Sequence, residues 1–202
     1  MSIANYLTFF RIFISPVFLL VYIAHAKLGI SNVVLPYVLL FLLGVSELSD
    51  AFDGYLARKY NQVTDLGKIL DPMADSIYRI SVFLTFTLEP IKVPMLLIFV
   101  FLYRDSVVST LRTICAFRGF ALAARTSGKI KAVIQGIAAF IIIILMIPHS
   151  LGNMSIEKLH IASTWVVGVA ALYTFLSGID YIYANKHYIA KLLTLPRHRE
   201  ES

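Results

Sequence analysis

Charged side chains are scarce in this chain of 202 residues: they make up 15% of it, whereas 58% of its residues are hydrophobic. Because soluble domains average about 25% charged residues, this composition argues against a large soluble domain. Apolar runs instead repeat along nearly the whole length, which predicts a polytopic membrane protein. We expect residues 1–202 to form one integral membrane domain.

Other absences narrow the chemistry. The single cysteine, Cys115, excludes an internal disulfide and is more typical of a small buried hydrophobe than of a nucleophile. The five histidines do not have the spacing of a metal site. No basic segment precedes the first apolar run, so we interpret that run as a retained membrane span and not as a cleaved signal peptide.

Six apolar stretches are long enough to cross about 30 Å of hydrocarbon as helices. They cover residues 6–26, 33–57, 69–88, 91–117, 130–148 and 158–184. A short basic tail, which we expect at the surface, follows over residues 186–202. The expected fold class is therefore all-α, with six transmembrane helices.

The basic residues are distributed unevenly about these six predicted spans. Of the 18 Lys and Arg residues, fourteen fall on one side and three on the other, and Arg79 lies within the third span. Since basic residues are enriched in cytoplasmic loops, this predicts a protein of the inner membrane with both termini in the cytoplasm. We attribute the net charge of +6 to this asymmetry and expect no nucleic acid partner.

Four aspartates lie where the second predicted span ends and the third begins, although a charge at the bilayer centre costs about 2.5–3.5 kcal/mol. Asp50 and Asp53 are three residues apart. Asp71 and Asp75 are four apart, so each pair lies on one face of its helix. If the intervening loop turns the chain back, four carboxylates converge near the cytoplasmic surface. Hard oxygen ligands of this kind suit Mg²⁺ or Mn²⁺, and two such ions suit phosphoryl transfer.

Small and basic residues accompany these aspartates. Gly54, Ala57 and Gly67 remove side-chain bulk, which allows a nucleotide to approach the backbone. Arg58 supplies a forked donor for a diphosphate.

A divalent-cation transporter is an alternative interpretation of these residues, because such a protein also places carboxylates in the membrane. It would, however, prefer to hold them near the midplane of the bilayer. A structural protein that has lost catalysis is a third reading.

Three further residues near the aspartates carry expectations about local structure. Because the residue before proline disfavours helical geometry, the sequence Asp71-Pro72 predicts that the third helix begins or kinks there. We interpret Asp65 as a loop residue or helix cap. Glu47, one turn before Asp50, is a candidate partner of the aspartates and not a ligand.

The spacing D-x2-D-G-x2-A-R-x8-G-x3-D-x3-D, matched here without a gap over residues 50–75, resembles the signature of the CDP-alcohol phosphotransferases. Members of that family have six membrane helices and transfer a substituted phosphoryl group from a CDP-linked donor to an alcohol, releasing CMP. The resemblance implies two divalent cations, Mg²⁺ or Mn²⁺, on the donor diphosphate, and a homodimer. It implies these site residues: metal ligands Asp50, Asp53, Asp71 and Asp75; general base Asp75; CDP-lipid contacts Asn5, Thr8, Gly54, Ala57, Arg58, Thr64 and Gly67.

Outside the signature the resemblance narrows to the phosphatidylglycerophosphate synthases, which implies CDP-diacylglycerol as donor and glycerol 3-phosphate as acceptor. The similar segments are Asn5-x2-Thr8-x2-Arg11, Leu111-Arg112, Gly128-Lys129-Ile-Lys131 and Leu176-Ser-Gly-Ile-Asp180-Tyr. Because the donor keeps its acyl chains in the bilayer, we expect a groove that opens to the inner leaflet close to Asp50 and Asp71.

A phosphate-bearing acceptor needs cationic donors. We expect them to be Arg104, Arg112, Lys129 and Lys131, whereas Arg118 and Arg125 are more typical of positive-inside charges. Two positions depart from the synthase pattern, Ser76 where lysine is expected and Asp105 where glutamate is expected.

Arg79, four residues after Asp75, has three readings. It replaces the missing positive charge, it is a snorkelling or salt-bridged residue, or it indicates another acceptor such as inositol, an inositol phosphate or a second lipid.

Overall fold

A computed structural model describes the backbone of residues 3–59, 65–118, 122 and 125–194, and the side chains of residues 10–49, 52, 73–118, 122 and 125–190. In that part of the chain every regular element is an α-helix, which confirms the expected all-α class. The helices are α1 (Ile3–Ala24), α2 (Leu35–Lys59), α3 (Asp65–Thr85), α4 (Met95–Phe117), α5 (Thr126–Ser150), α6 (Ile156–Ala184) and α7 (Lys186–Thr194).

The core lies where the helices repeat an apolar residue at about every fourth position, so that one stripe of each helix faces its neighbours. Ile14, Phe18 and Tyr22 form this stripe on α1. Leu35, Leu39 and Leu43 form it on α2, and Ala138, Ala139, Ile142, Ile143 and Met146 form it on α5. The aromatic rings of Phe83 and Phe101 meet edge to face at 4.8 Å and join α3 to α4.

Helix α3 packs against α1, α4 and α5. Helix α5 also packs on α2 and α6, and α4 packs on α6 and α7. Side-chain contacts bring the first turns of α5 close to the middle of α3 and of α4 and to the last turns of α6. This arrangement brings four helices together at one end of the bundle.

Large apolar side chains also cover the outside of the bundle, including Phe13, Phe41, Leu96 and Trp165. Helices that are apolar on both faces are typical of proteins in a hydrocarbon environment. Among the described residues, two helices are long and apolar enough to cross a membrane, α5 and α6. Shorter apolar stretches cover Phe10–Ala24 and Leu35–Ser49. The expected number of six spans stays a prediction.

At Asp71-Pro72 the predicted kink stays a prediction, whereas the alternative, a helix start, is wrong for the third helix. It begins at Asp65 and continues as helix through Pro72. Asp65 is therefore the first helical residue and not a loop residue, and an acidic residue at a helix start is favourable for the helix dipole. The reading of Asp65 as a cap stays a prediction. The local preference of the Asp71-Pro72 pair is therefore outweighed, as tertiary packing commonly outweighs propensity.

The start of the fourth helix also differs from prediction, and the tail contains a helix that was not predicted. Helix α4 begins at Met95 and not at residue 91, because residues 86–94 form a turn in which the Val93 amide donates to the Phe86 carbonyl at 2.9 Å. The basic tail is helical from Lys186 to Thr194. Its start is set by Asn185, which ends α6 and whose side-chain Nδ2 donates to the Tyr181 carbonyl at 2.8 Å.

Candidate active site

The aspartates of the signature lie on two helices. Asp50 and Asp53 belong to the last turns of α2, and Asp71 and Asp75 belong to the first half of α3. The pairs therefore have helical spacing, as predicted, and each occupies one helix face. The positions of Gly54, Ala57, Arg58 and Gly67 are also helical, as are those of Asn5 and Thr8 in α1. Thr64 lies outside the described residues.

Of the four aspartates, Asp75 is the one whose side chain the structure describes. That side chain is 32% exposed, and its Oδ1 accepts a hydrogen bond from Arg79 Nε at 2.9 Å. Arg79 follows Asp75 by one helical turn, and side chains with this i,i+4 spacing lie close enough on a helix to form an ion pair. Among the described side chains, no group of three or more His, Cys, Asp or Glu residues is placed to hold a metal ion. The predicted four-aspartate metal set stays a prediction.

Arg79 connects three helices. Its side chain is 9% exposed, and Nη1 donates to the Ala132 carbonyl of α5 at 2.8 Å. Its Nη2 lies 3.5 Å from Glu47 Oε2 of α2. The salt-bridged reading of Arg79 is therefore confirmed. Glu47 reaches Asp75 through this guanidinium, as expected of a partner of the aspartates.

A second ionic cluster joins α4 to α5. Lys131 Nζ donates to both carboxylate oxygens of Asp105, at 2.8 and 2.9 Å. Arg104 Nη1 donates to Asp105 Oδ1 at 3.0 Å. Asp75 is connected to this cluster through Arg79, which donates to the carbonyl of Ala132, the residue after Lys131. Two of the four predicted acceptor ligands are thus brought together by Asp105, and the cluster carries one net positive charge.

Two glycines make room for Arg104. A Cβ added at Gly178 of α6 would lie 3.0 Å from Arg104 Cγ, and one added at Gly128 of α5 would lie 3.4 Å from Arg104 Nη2. The arginine stem therefore passes directly over the backbone of α6, and its guanidinium lies against the start of α5. Both glycines fall in segments that the sequence resemblance singled out, although the resemblance did not assign them this role.

The other two predicted acceptor ligands lie apart from this cluster. Arg112 Nε donates to Tyr181 Oη at 3.2 Å, and its guanidinium carbon lies 5.3 Å from the centre of the Tyr181 ring. Lys129 is exposed. The role of Tyr181 was missed by sequence reasoning, because nothing in the spacing of α4 and α6 relates positions 112 and 181.

Arg125, interpreted from the sequence as a positive-inside charge, forms an ion pair that the sequence did not predict. Its Nε and Nη2 donate to Asp180 at 2.9 and 3.1 Å, and Ser127 Oγ donates to the same carboxylate at 2.6 Å. These contacts tie the start of α5 to the end of α6. They hold in place the helix turn that carries Lys129 and Lys131.

An open groove of about 350 Å³ lies beside the Arg79 ion pairs. Glu47 and Arg79 form its polar part, and Val133, Ile137 and Phe140 of α5 form an apolar wall. Because Glu47 precedes Asp50 by three residues on α2, the groove lies near the position where a lateral entrance is expected.

Comparisons with known proteins place the chain among enzymes of one kind. The family model described as CDP-alcohol phosphatidyltransferase matches residues 1–189. Two bacterial relatives are each named CDP-diacylglycerol–glycerol-3-phosphate 3-phosphatidyltransferase. The one from Rickettsia bellii is 33% identical over 189 residues, which are 93% of this chain and 97% of the relative. The one from Bacillus subtilis is 30% identical over 190 residues, 91% of this chain and 95% of the relative.

A relative from Mycobacterium tuberculosis is named probable phosphatidylglycerophosphate synthase. It is 30% identical over 181 residues, which are 90% of this chain and 80% of the relative. The match therefore extends well beyond residues 50–75 and includes the helices that carry the two ionic clusters.

Proposed function

Since this chain belongs to the CDP-alcohol phosphatidyltransferase family, we propose that it transfers the phosphatidyl group of CDP-diacylglycerol to glycerol 3-phosphate and releases CMP. The names of its relatives in Rickettsia bellii and Bacillus subtilis support this choice of donor and acceptor. Family membership argues against the interpretation of the carboxylates as a transporter site. The proposal rests mainly on the position of Asp75, whose side chain is partly exposed and lies beside the cationic cluster that joins α4 to α5.

The aspartates fit a pair of divalent cations. They are hard oxygen donors on two helices, and at Asp75 the ion pair with Arg79 engages Oδ1, which leaves Oδ2 for another partner. Two ions, Mg²⁺ or Mn²⁺, would be held by Asp50, Asp53, Asp71 and Asp75. When bound, they would supply positive charge for the donor diphosphate and for the departing CMP.

The residues of the chain divide the remaining work. Asp75 takes the proton from the acceptor hydroxyl, whose oxygen then bonds to the phosphorus that carries diacylglycerol, while the bond from that phosphorus to CMP breaks. Gly54, Ala57, Arg58, Thr64 and Gly67, with Asn5 and Thr8, bind the CDP moiety. The acceptor and the donor are thereby held in line for the attack.

The acceptor phosphate is bound by the cations of α4 and α5. Arg104 and Lys131 share one carboxylate, so their cluster keeps a positive charge in a buried setting where it acts strongly. Arg112 and Lys129 add two further charges from the same end of the bundle. A dianionic phosphate matches this surplus, whereas an uncharged alcohol such as inositol does not need it.

The protein is proposed to lie in the inner membrane with six spans, with the active site and both termini facing the cytoplasm. The distribution of Lys and Arg supports this orientation. CDP-diacylglycerol would enter from the bilayer through the groove beside Glu47 and Arg79, because its acyl chains leave hydrocarbon only at a large cost. We also propose a homodimer, which cross-linking in native membranes would test.

The deciding experiment measures CMP release by the purified protein in detergent with CDP-diacylglycerol and Mg²⁺. Glycerol 3-phosphate, inositol, an inositol phosphate and no acceptor are compared in parallel. Release with glycerol 3-phosphate alone is expected. CMP release with another alcohol alone would overturn the proposed acceptor. The absence of CMP release in every reaction would overturn the proposed activity.

A further inference from the structure

We propose that Arg79 is a positioning residue, which holds the Asp75 carboxylate in place for proton abstraction and is itself held by Glu47 and by the backbone of α5. The inference rests on the proposed function, in which Asp75 is the general base. It assigns Arg79 to the support of the base and not to the acceptor phosphate.

The first argument is that each of the three guanidinium nitrogens of Arg79 contacts a different helix. Its Nε faces Asp75 at 2.9 Å on α3, its Nη1 faces the Ala132 carbonyl at 2.8 Å on α5, and its Nη2 faces Glu47 at 3.5 Å on α2. A guanidinium is planar and its donors diverge in fixed directions. With two of its nitrogens anchored on other helices, the orientation of Nε toward Asp75 is fixed as well.

The second argument is the space that α5 provides. Arg79 packs against α5 at Gly136, where an added Cβ would lie 3.4 Å from Arg79 Nη1 and 3.7 Å from each carboxylate oxygen of Glu47. The ion pair therefore lies against helix backbone. With 9% of its side chain exposed, Arg79 is enclosed by protein and has little freedom to follow a substrate.

The third argument concerns Asp75 itself. Arg79 engages Oδ1, and the carboxylate is 32% exposed. Oδ1 is thus held by the protein, while the rest of the carboxylate stays accessible to a substrate. That is the arrangement a positioned base needs, because proton abstraction requires it within about 3 Å of the hydroxyl.

The linkage is tested first without any activity. Thermal unfolding in EDTA is measured for Arg79→Met, Asp75→Asn, Glu47→Gln and the two double variants that contain Arg79→Met. Because contacting residues are energetically coupled, the effect of Asp75→Asn or Glu47→Gln on Tm should change in the Arg79→Met background. Additive shifts in both cycles would overturn the inference, whether or not the protein has the proposed activity.

Kinetics then separate positioning from binding. Arg79→Met should lower kcat for CMP release about 10- to 100-fold, the usual effect of losing a residue that orients a site carboxylate, with the KM of glycerol 3-phosphate nearly unchanged. Arg79→Lys should recover part of kcat, because an ammonium can reach Asp75 but cannot span the three helices. Lys92→Met, which removes a distant ion pair, is the matched control and should leave kcat unchanged.

Two kinetic results would contradict the proposal. A large rise in the KM of glycerol 3-phosphate with an unchanged kcat would make Arg79 an acceptor ligand. An unchanged kcat with a lowered Tm would make it a structural residue only. If the wild-type protein releases no CMP, the proposed function fails. The unfolding cycles alone would then decide whether Arg79 is coupled to Asp75 and Glu47.

Discussion

The two ends of the helix bundle carry lysine–carboxylate pairs of nearly the same length in opposite settings. Lys131 lies 2.8 Å from Asp105, with the two side chains 6% and 9% exposed. Lys92 lies 2.7 Å from Glu89, with 63% and 56% exposed. Distance therefore does not distinguish them, whereas burial does. An exposed pair is screened by water and contributes little, while a buried pair must offset a large desolvation cost.

This difference indicates where function lies. Replacing a buried ion pair with apolar residues is often neutral or stabilising, so stability alone does not account for the Asp105 cluster. The same end of the bundle holds the ion pairs of Arg79 with Asp75 and Glu47. A concentration of buried charge in one region is the pattern expected of a site that binds anions and metal ions.

Removing the proposed base should have the largest effect. Asp75→Asn should lower kcat for CMP release by about 10²–10⁴-fold, the usual contribution of a general base, while CDP-diacylglycerol still binds. Steady-state CMP release and a donor-binding assay would measure the two properties. Asp65→Asn, at the start of the same helix, is the control. Retained turnover in Asp75→Asn would exclude Asp75 as the base.

Breaking the buried cluster should have the next largest effect, and it would act on stability. Asp105→Asn leaves Lys131 and Arg104 without their shared anion, which should cost about 3–5 kcal/mol and lower Tm by roughly 6–20 °C. Asp105→Glu keeps the charge and should lose much less. Thermal unfolding in detergent compares the two variants. An equal decrease in Tm for the two variants would show that the shape of the side chain at position 105 matters more than its charge.

A smaller effect is expected from Tyr181→Phe. The hydroxyl of Tyr181 accepts the hydrogen bond from Arg112 Nε at 3.2 Å, and one such bond contributes about 0.5–1.5 kcal/mol. If it orients Arg112 toward the acceptor, the KM of glycerol 3-phosphate should rise about 2- to 10-fold with kcat retained. An unchanged KM would separate Arg112 from acceptor binding.

The exposed end should show the smallest effect. Glu89→Gln should leave Tm at neutral pH almost unchanged, in contrast to Asp105→Asn. The hydrogen bond from Lys92 lowers the pKa of Glu89 below its usual value. Its contribution is therefore complete above the usual glutamate pKa and is lost as the pH falls through the lowered pKa. Unfolding curves of wild type and variant should converge in that acidic range, and a large difference at neutral pH would contradict the comparison.

Local spacing predicted the parts of the molecule that depend on one helix. The all-α class, the helical spacing of the aspartates and the placement of Arg79 on the same helix face as Asp75 all follow from periods of three or four residues. Contacts between distant segments were not predictable in this way. Asp105 was recognised only as a departure from glutamate, and its partner Lys131 is 26 residues away. The start of α3 was misplaced because packing outweighed the preference of Asp71-Pro72.

The close passage of Arg104 over α6 has a consequence for which sequences this fold accepts. Any side chain at position 178 would begin only 3.0 Å from Arg104 Cγ, which is closer than two carbon atoms normally pack. Even alanine there would displace the arginine stem or the helix. Substitutions at Gly178 should therefore have the phenotype of Arg104 variants, although glycine has no chemistry of its own. A mutational scan would assign position 178 to the functional residues of this protein on purely steric grounds.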